Sequence, residues 1–301
     1  MSRLAELKLD NLQQDVPLAK YTAARLGGKA DWLYIAKNSI EELAQVVKSA
    51  WADDIPVRIL GGGANVLVSD KGFRGLIVIN RVTSIDFGDW HDGRTVSASS
   101  GTGLLRLARE CAERGIAGME WAVGVPGTVG GAVVNNAGAH GSDMAASVAE
   151  VVVLETFGPK LYTNTDMQYD YRHSMLKARD NRRFVVLQVN FILPYDEFEA
   201  IKSRMDEFNA YRKETQPPGA TLGSIFKNPD GDYAGRLIEA SGLKGYRVGG
   251  VEVSGKHANF IVNHGDATAS DYYALIQHVQ ETVLEKQGIE LELEIELVGE
   301  W

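Results

Sequence analysis

A single cysteine, Cys111, stands among 301 residues, so no intramolecular disulfide can staple the chain. No apolar run approaches the roughly 18 to 20 residues that a membrane helix requires, which argues against membrane insertion. The opening residues, MSRLAELKLDNLQQD, mix charges of both signs and lack the uninterrupted apolar stretch of a secretory signal. A cytoplasmic location is therefore expected. Positive charge is also in short supply. The net charge is -9, and no lysine or arginine block gathers a polyanion, so nucleic acid is not an expected partner. The histidines, His91, His140, His173, His257, His264 and His278, show no paired metal-ligand spacing and the lone cysteine adds none, so no metal is expected. Internal repeats and low-complexity tracts are missing as well, and nothing calls for an obligate protein partner.

What the chain does have is glycine in two telling places. From 121 to 142 it runs WAVGVPGTVGGAVVNNAGAHGS, uncharged throughout, with the paired amides Asn135 and Asn136. Glycine has no Cβ, so such a stretch can bring bare peptide N–H groups against an anion such as phosphate. Tight turns and close strand packing would account for one such loop equally well. A second, Gly61-Gly62-Gly63-Ala64-Asn65, joins the apolar run ending at Leu60 to Val66-Leu67-Val68. Two backbone-rich loops can clasp a diphosphate from both sides. Neither fits the common nucleotide signatures: the glycines at 61–63 open onto a strand rather than a helix, and Gly101-Thr102-Gly103 lacks the third glycine, position 106 being Arg. A P-loop is absent too.

The order of elements is mixed. Ser39-Ile40-Glu41-Glu42 has capping-box spacing and predicts a helix over 40–52. Strands flank the first glycine loop, and Thr102 is expected to cap a second helix that stops at Gly115. Strands follow over 148–154 and 184–193 with YDYRHS on a loop between them, then an amphipathic helix over 196–213. Thr215-Gln216-Pro217-Pro218-Gly219 breaks regular structure and marks the expected domain boundary. Beyond it come a short strand, a helix near 232–240, a strand around Phe260, a helix over 271–286 and a last strand. Because strands and helices do not alternate strictly, an α+β fold is favoured over a doubly wound parallel sheet.

Three segments carry candidate chemistry. Gly223-Ser224-Ile225-Phe226-Lys227-Asn228-Pro229 sets a hydroxyl, an ammonium and an amide close together, and in an extended segment Ser224, Phe226 and Asn228 share one face. A serine after a glycine is ordinarily a turn residue, and a normal hydroxyl donates a proton only to a strongly basic carbanion or with help from its neighbours. Residues 289–297, IELELEIEL, alternate with period two and read as a strand with one acidic face, whose ordinary role is to keep an edge from pairing with other molecules. Spacing alone does not choose among Glu290, Glu292, Glu294 and Glu296. Arg172 in Tyr169-Asp170-Tyr171-Arg172-His173-Ser174 offers a planar fork for a carboxylate, although a loop arginine is more often a surface residue.

Taken together and in this order, the segments GGGANVLVSDKGFRG, GMEWAVGVPGTVGGAVVNNAGAHG, YRHS, GSIFKNP, HANFIVN and LELEIELVGE closely resemble the UDP-N-acetylenolpyruvoylglucosamine reductases, flavoenzymes of peptidoglycan precursor synthesis. The resemblance covers nearly the whole chain. It implies a vanillyl-alcohol-oxidase-type FAD-binding domain over 1–212, in subdomains of about 1–80 and 81–212, and a smaller α+β substrate-binding domain over 213–301. By the same resemblance FAD is held non-covalently by Gly61, Gly62, Gly63, Ala64 and Asn65 and by Gly124, Val125, Pro126, Gly127, Thr128, Gly130 and Gly131. NADPH is the implied reductant and UDP-N-acetylglucosamine enolpyruvate the implied substrate. Ser224 matches the family's proton donor, Arg172 and Glu294 match the pair that stabilises the enolate-like intermediate, and Lys227, Asn228 and Tyr171 fall where substrate is bound. One departure stands out: many relatives carry Glu-Val-Arg near the end, where this chain reads Glu294-Ile295-Glu296. The stretch between Arg172 and Ser224 is short, as in the compact form of the family. Another flavin enzyme of the same fold and a non-catalytic nucleotide-sugar sensor are the competing readings.

Overall fold

The computed structural model describes residues 3–7, 9–88 and 95–301. The chain forms two compact units. The first comprises Met1–Gln13, Trp32–Gly61 and Gly75–Arg212, and the second comprises Gln14–Asp31, Gly62–Arg74 and Lys213–Trp301. Residues 14–31 and 62–74, expected within the N-terminal domain, thus group with the C-terminal residues. They do so through packing that a linear reading does not reveal. Leu26 and Leu67, for example, share one core with Tyr272 and Ile276.

Two sheets organise the N-terminal part. In the four-stranded sheet the order is Leu12–Pro17, Lys29–Ala36, Phe73–Asn80, Val57–Leu60, the last two running parallel with Val57 opposite Leu76. The helix Ile40–Ala52 lies where its apolar spacing predicts, burying Leu43, Val46, Val47 and Ala50 in one core with Tyr34, Leu76 and Val78. Ser39 Oγ accepts from the Glu42 N–H at 3.1 Å, while the Glu42 carboxylate accepts from Tyr34 and Asn38 instead of completing a capping box. The five-stranded sheet, ordered Gly158–Thr163, Val148–Glu155, Val185–Ile192, Thr95–Ser99, Ile85–Gly88, is antiparallel throughout. Its core takes Leu104, Leu107 and Cys111 from the helix Leu104–Ala112, and Ile201 and Met205 from the helix Phe198–Thr215.

Thr102 does not cap the helix Leu104–Ala112. Gly103 occupies that position, and the Thr102 hydroxyl donates to the Ser84 carbonyl at 3.0 Å, a tertiary bond that outcompetes the local one. The helix chain turns out at Gly115, φ 66°, as the sequence predicts.

In the second unit the strands Ala220–Ser224, Phe260–Asn263, Val251–Val253 and Arg247–Val248 form an antiparallel sheet in that order. The helices Ala234–Ala240 and Ala269–Gln287 bury Leu237, Ile238, Leu275, Ile276, Val279 and Val283 in its core. The long helix is capped twice. Thr268 and Asp271 form a capping box, and Asp70 accepts from the Ala269 N–H at 2.9 Å and the Ser270 N–H at 2.8 Å.

The alternating run 289–297 is not one strand. Only Glu296–Val298 is strand, paired parallel with Val66–Val68, while Leu293 makes an isolated antiparallel bridge to Phe226. The chain changes neighbours between 294 and 296, so the pattern persists where the ladder does not. No helix among the described residues is long and apolar enough to cross a membrane.

Candidate functional site

The uncharged stretch is not a loop throughout. It holds a short 3-10 turn, Glu120–Ala122, and a helix, Val129–Asn135. Between them Gly124 and Gly127 adopt φ of 101° and 136°, backbone that only glycine takes without strain. Val125 N–H donates to Ala122 O at 3.1 Å, and Leu104 N–H donates to Gly127 O at 3.2 Å, which fixes the bend. Pro126 is exposed at its tip. Gly130 packs on Ser100, its N–H donating to the Ser100 carbonyl at 2.8 Å, and Gly131 faces out. Glycine content and β-branched residues lower helix propensity, which is why this helix is hard to see in the sequence.

Gly61 and Thr128 approach each other so closely that a Cβ on Gly61 would collide with the Thr128 side chain. Within the first unit, then, one residue from each glycine-rich segment meets bare backbone to side chain. Beside this stands Arg212, in the last turns of the helix Phe198–Thr215. Its side chain fills the space where a Cβ on Gly124 would lie, burial pulls its guanidinium below the usual arginine range, and among the described residues nothing pairs with it. A half-buried cation without a counter-ion at a glycine bend is a fit for an anionic group. This residue was missed in the sequence. The signal was an arginine in the last turn of an amphipathic helix, three residues before the start of the Thr-Gln-Pro-Pro-Gly break.

In the second unit Gly63 presses on the backbone of Tyr21 and Thr22, and its carbonyl accepts from the Ala23 N–H at 3.0 Å. Ala64 is half-buried and Gly62 exposed. Asn65 Nδ2 donates to the Glu294 carbonyl at 3.2 Å, and the Glu296 N–H donates to the Asn65 carbonyl at 2.9 Å. The end of the first glycine loop is thereby stitched to the segment that carries Glu294.

Glu294 in turn is stitched to the Ser224 segment. Its N–H donates to the Ile225 carbonyl at 2.8 Å, and the Lys227 N–H donates to the Glu292 carbonyl at 2.9 Å. Ser224 ends its strand half-buried, its hydroxyl without a hydrogen bond among the described residues. The expected alternation of one face fails after it, because Ile225 and Phe226 are both buried, at 0% and 1% exposure. Lys227 is ion-paired with Glu292 at 3.0 Å. Asn228 Oδ1 accepts from the Ala234 N–H at 3.1 Å, tying it to the start of the following helix.

Arg172 belongs to the first unit. It sits in left-handed backbone, φ 54°, within a turn in which the His173 N–H donates to Asp170 O at 3.0 Å and the Asp170 N–H donates back to His173 O at 3.2 Å. One guanidinium nitrogen donates to the Gly138 carbonyl at 2.9 Å, and the ring of the exposed Tyr171 lies 5.2 Å below it. The turn is anchored from beneath. Ser174 Oγ donates to the Val134 carbonyl at 2.6 Å, and Asn136, only 2% exposed, donates to the Asp170 carbonyl at 2.9 Å and to Asp143 at 3.1 Å while accepting from the Ala145 N–H at 3.0 Å. Of the paired amides, Asn136 is the structural one. Among the described residues no three acidic, histidine or cysteine side chains gather as a metal site, and His91 lies outside those residues.

The glycine bend at 124–131 fits an anionic group, and residues 33–156, which contain it, match the family model of an FAD binding domain, so the class is that of FAD-binding proteins. Residues 215–298 match the C-terminal domain of UDP-N-acetylenolpyruvoylglucosamine reductase. Curated relatives of that name include one from Caldicellulosiruptor saccharolyticus, 44% identical over 99% of this chain and 95% of the relative, and one from Halalkalibacterium halodurans, 39% identical over 99% and 97%. A crystal structure of UDP-N-acetylenolpyruvylglucosamine reductase from Thermus caldophilus superposes with a TM-score of 0.81 at 36% identity, covering 94% of this chain and 98% of that one. The chain belongs to the UDP-N-acetylenolpyruvoylglucosamine reductase family and is an FAD-dependent oxidoreductase.

Proposed function

We propose that the protein reduces UDP-N-acetylglucosamine enolpyruvate to UDP-N-acetylmuramate, with NADPH as reductant, in the cytoplasm. The observation that carries this reading is the pairing of the Ser224 and Glu294 segments, Glu294 N–H to Ile225 O at 2.8 Å, in a chain of this family. FAD, when bound, supplies the hydride that the vinyl methylene carbon of the substrate receives. In the first unit, Gly61, the 124–131 bend and Arg212 would hold it, the bend by backbone donors and Arg212 by charge. In the second unit, Gly62, Gly63, Ala64 and Asn65 would contribute the other glycine segment.

Reduction at the methylene carbon leaves negative charge on the carbon next to the carboxylate. Ser224 gives that carbon its proton, and a carbanion is the one recipient strong enough to draw a proton from an ordinary hydroxyl. Arg172 contributes positive charge to the enolate-like oxygen, and Glu294 shares in stabilising that intermediate. Lys227, Asn228 and Tyr171 contact the substrate. For Lys227 this means exchanging Glu292 for a substrate anion. Asn228 keeps its backbone bond to Ala234.

The test follows the visible flavin band anaerobically. The wild type should bleach with NADPH and recover when the enolpyruvyl substrate is added. Ser224→Ala should bleach normally and recover far more slowly. Recovery of Ser224→Ala at the wild-type rate removes Ser224 from the reaction, and a protein that takes up no FAD overturns the whole reading.

A further inference from the structure

Ser224 stands at the point where a sheet runs out of partners. In the pairing of Ala220–Ser224 with Phe260–Asn263, Thr221 lies opposite Val262 and Ser224 opposite Phe260. Three residue steps on one strand answer two on the other, so one residue bulges, and Gly223 at φ 78° takes the left-handed geometry that such a bulge uses. One more backbone bond follows, Ile225 N–H to Asn259 O at 2.9 Å. The partner chain then turns away, with Phe260 N–H donating to His257 O at 3.0 Å.

The next rung is made by a side chain. Asn259 Oδ1 accepts from the Phe226 N–H at 2.9 Å and Asn259 Nδ2 donates to the Phe226 carbonyl at 2.8 Å. The amide thus imitates a peptide group and extends the ladder by one residue. Asn259 is 3% exposed, and its own N–H donates to His257 Nδ1 at 3.2 Å, so the amide is held at its base as well. On the other edge of the same segment, Lys227 N–H and Ile225 O pair with Glu292 O and Glu294 N–H. Ser224 and Glu294 therefore take their positions from one three-residue segment, clamped on one side by Asn259.

We propose that Asn259 is a positioning residue for proton delivery: its side-chain amide, acting as an extra rung of the sheet, sets where the Ser224 hydroxyl and the Glu294 carboxyl stand. This rests on the reading of Ser224 as proton donor. Without the amide, the buried N–H and carbonyl of Phe226 lose their partners, and a segment in that condition shifts to find others. Gly223, beside the bulge, offers the backbone freedom to do so. A displacement of about 1 Å at a reacting group is enough to cost roughly 100-fold in rate.

The experiment compares FAD-loaded Asn259→Leu, Asn259→Asp, Ser224→Ala and the double variant Ser224→Ala/Asn259→Leu, measuring flavin bleaching by NADPH and recovery by UDP-N-acetylglucosamine enolpyruvate separately. Amide hydrogen exchange in the peptide containing Phe226 is read alongside. Asn259→Leu should bleach within about 3-fold of wild type, recover about 10- to 100-fold more slowly, and exchange the Phe226 amide faster. Asn259→Asp keeps the volume and the acceptor but loses the donor, so its recovery should fall in between. The double variant should be slowed relative to Ser224→Ala by much less than Asn259→Leu slows the wild type, because only Glu294 is then left to position. Wild-type recovery in Asn259→Leu with the Phe226 amide deprotected, equal slowing of both half-reactions, or a double variant slowed by the product of the single effects would each overturn the proposal. Should Asn259→Leu not hold FAD, Asn259→Asp decides by the same criteria. Wild-type recovery in Ser224→Ala instead overturns the donor reading itself, whatever Asn259 does.

Discussion

Replacing Asn136 by alanine should cost the first unit roughly 3 to 5 kcal/mol, because one side chain meets three separate demands there. It accepts from the Ala145 N–H at 3.0 Å, donates to the Asp170 carbonyl at 2.9 Å, and donates to the Asp143 carboxylate at 3.1 Å. The two neutral bonds contribute about 1 kcal/mol each, and the bond to a carboxylate contributes somewhat more, discounted because Asp143 is partly solvated. The backbone adds a further term. Asn136 ends its helix at φ 42° and ψ 57°, left-handed geometry that costs an alanine about 1 kcal/mol and a glycine almost nothing. Asn136→Gly should therefore lose the bonds without the conformational penalty and be less damaging than Asn136→Ala by about 1 kcal/mol. Urea unfolding checks both. At a slope of about 3 kcal/mol/M the alanine variant's midpoint falls by roughly 1 to 1.7 M, with the glycine variant between it and wild type. A loss under about 0.5 kcal/mol in both variants, or a glycine variant no better than the alanine one, refutes the reasoning.

Further expectations follow from other parts of the molecule. Although burial alone would raise it, the Asp70 carboxyl lies below the usual aspartate range because it accepts from the Ser270 hydroxyl and from the Ala269 and Ser270 N–H groups. A folded-state value below the unfolded one means that this cap stabilises fully above about pH 4 and is lost as pH falls through the folded value. Asp70→Asn should cost about 1 kcal/mol at pH 7, and the gap to wild type should close in urea titrations as the pH falls through that range. Burial pushes the Cys111 thiol up to about 12, so the native protein should resist iodoacetamide at pH 8 and label at once in urea, as followed by mass spectrometry. Gly61→Ala drives a methyl group into Thr128 and should cost roughly 1 to 3 kcal/mol together with FAD affinity by fluorescence titration, and Thr128→Ala in the same chain should restore part of both.

Much of the fold was legible because local rules and tertiary demands agree. The helices Ile40–Ala52, Phe198–Thr215 and Ala269–Gln287 stand close to where apolar spacing put them. Disagreement marks the places where a distant partner won. Thr102 has the chemistry of a cap and spends it on Ser84, and the alternation over 289–297 promises a strand that only Glu296–Val298 finds a neighbour to complete. The helix Val129–Asn135 is the converse: glycine and valine argue against it locally, and its burial against the five-stranded sheet, with Ala132 and Val133 in the core, decides for it.

The candidate site divides in the same way. Residue types in the sequence offered Ser224, Arg172, the four terminal glutamates and the two glycine segments as candidates, and only the family resemblance singled out Glu294 among the glutamates. The tertiary structure alone decided which of them meet. It joined Glu294 to Ile225 and, across more than two hundred residues of chain, to Asn65, set Gly61 on Thr128, and left Arg212 at Gly124 with no counter-ion among the described residues. It also gave Asn259 to Phe226. Each of those relations has a backbone group on at least one side, and backbone groups are the same in every residue, so no sequence pattern distinguishes the one that will be left in need of a partner.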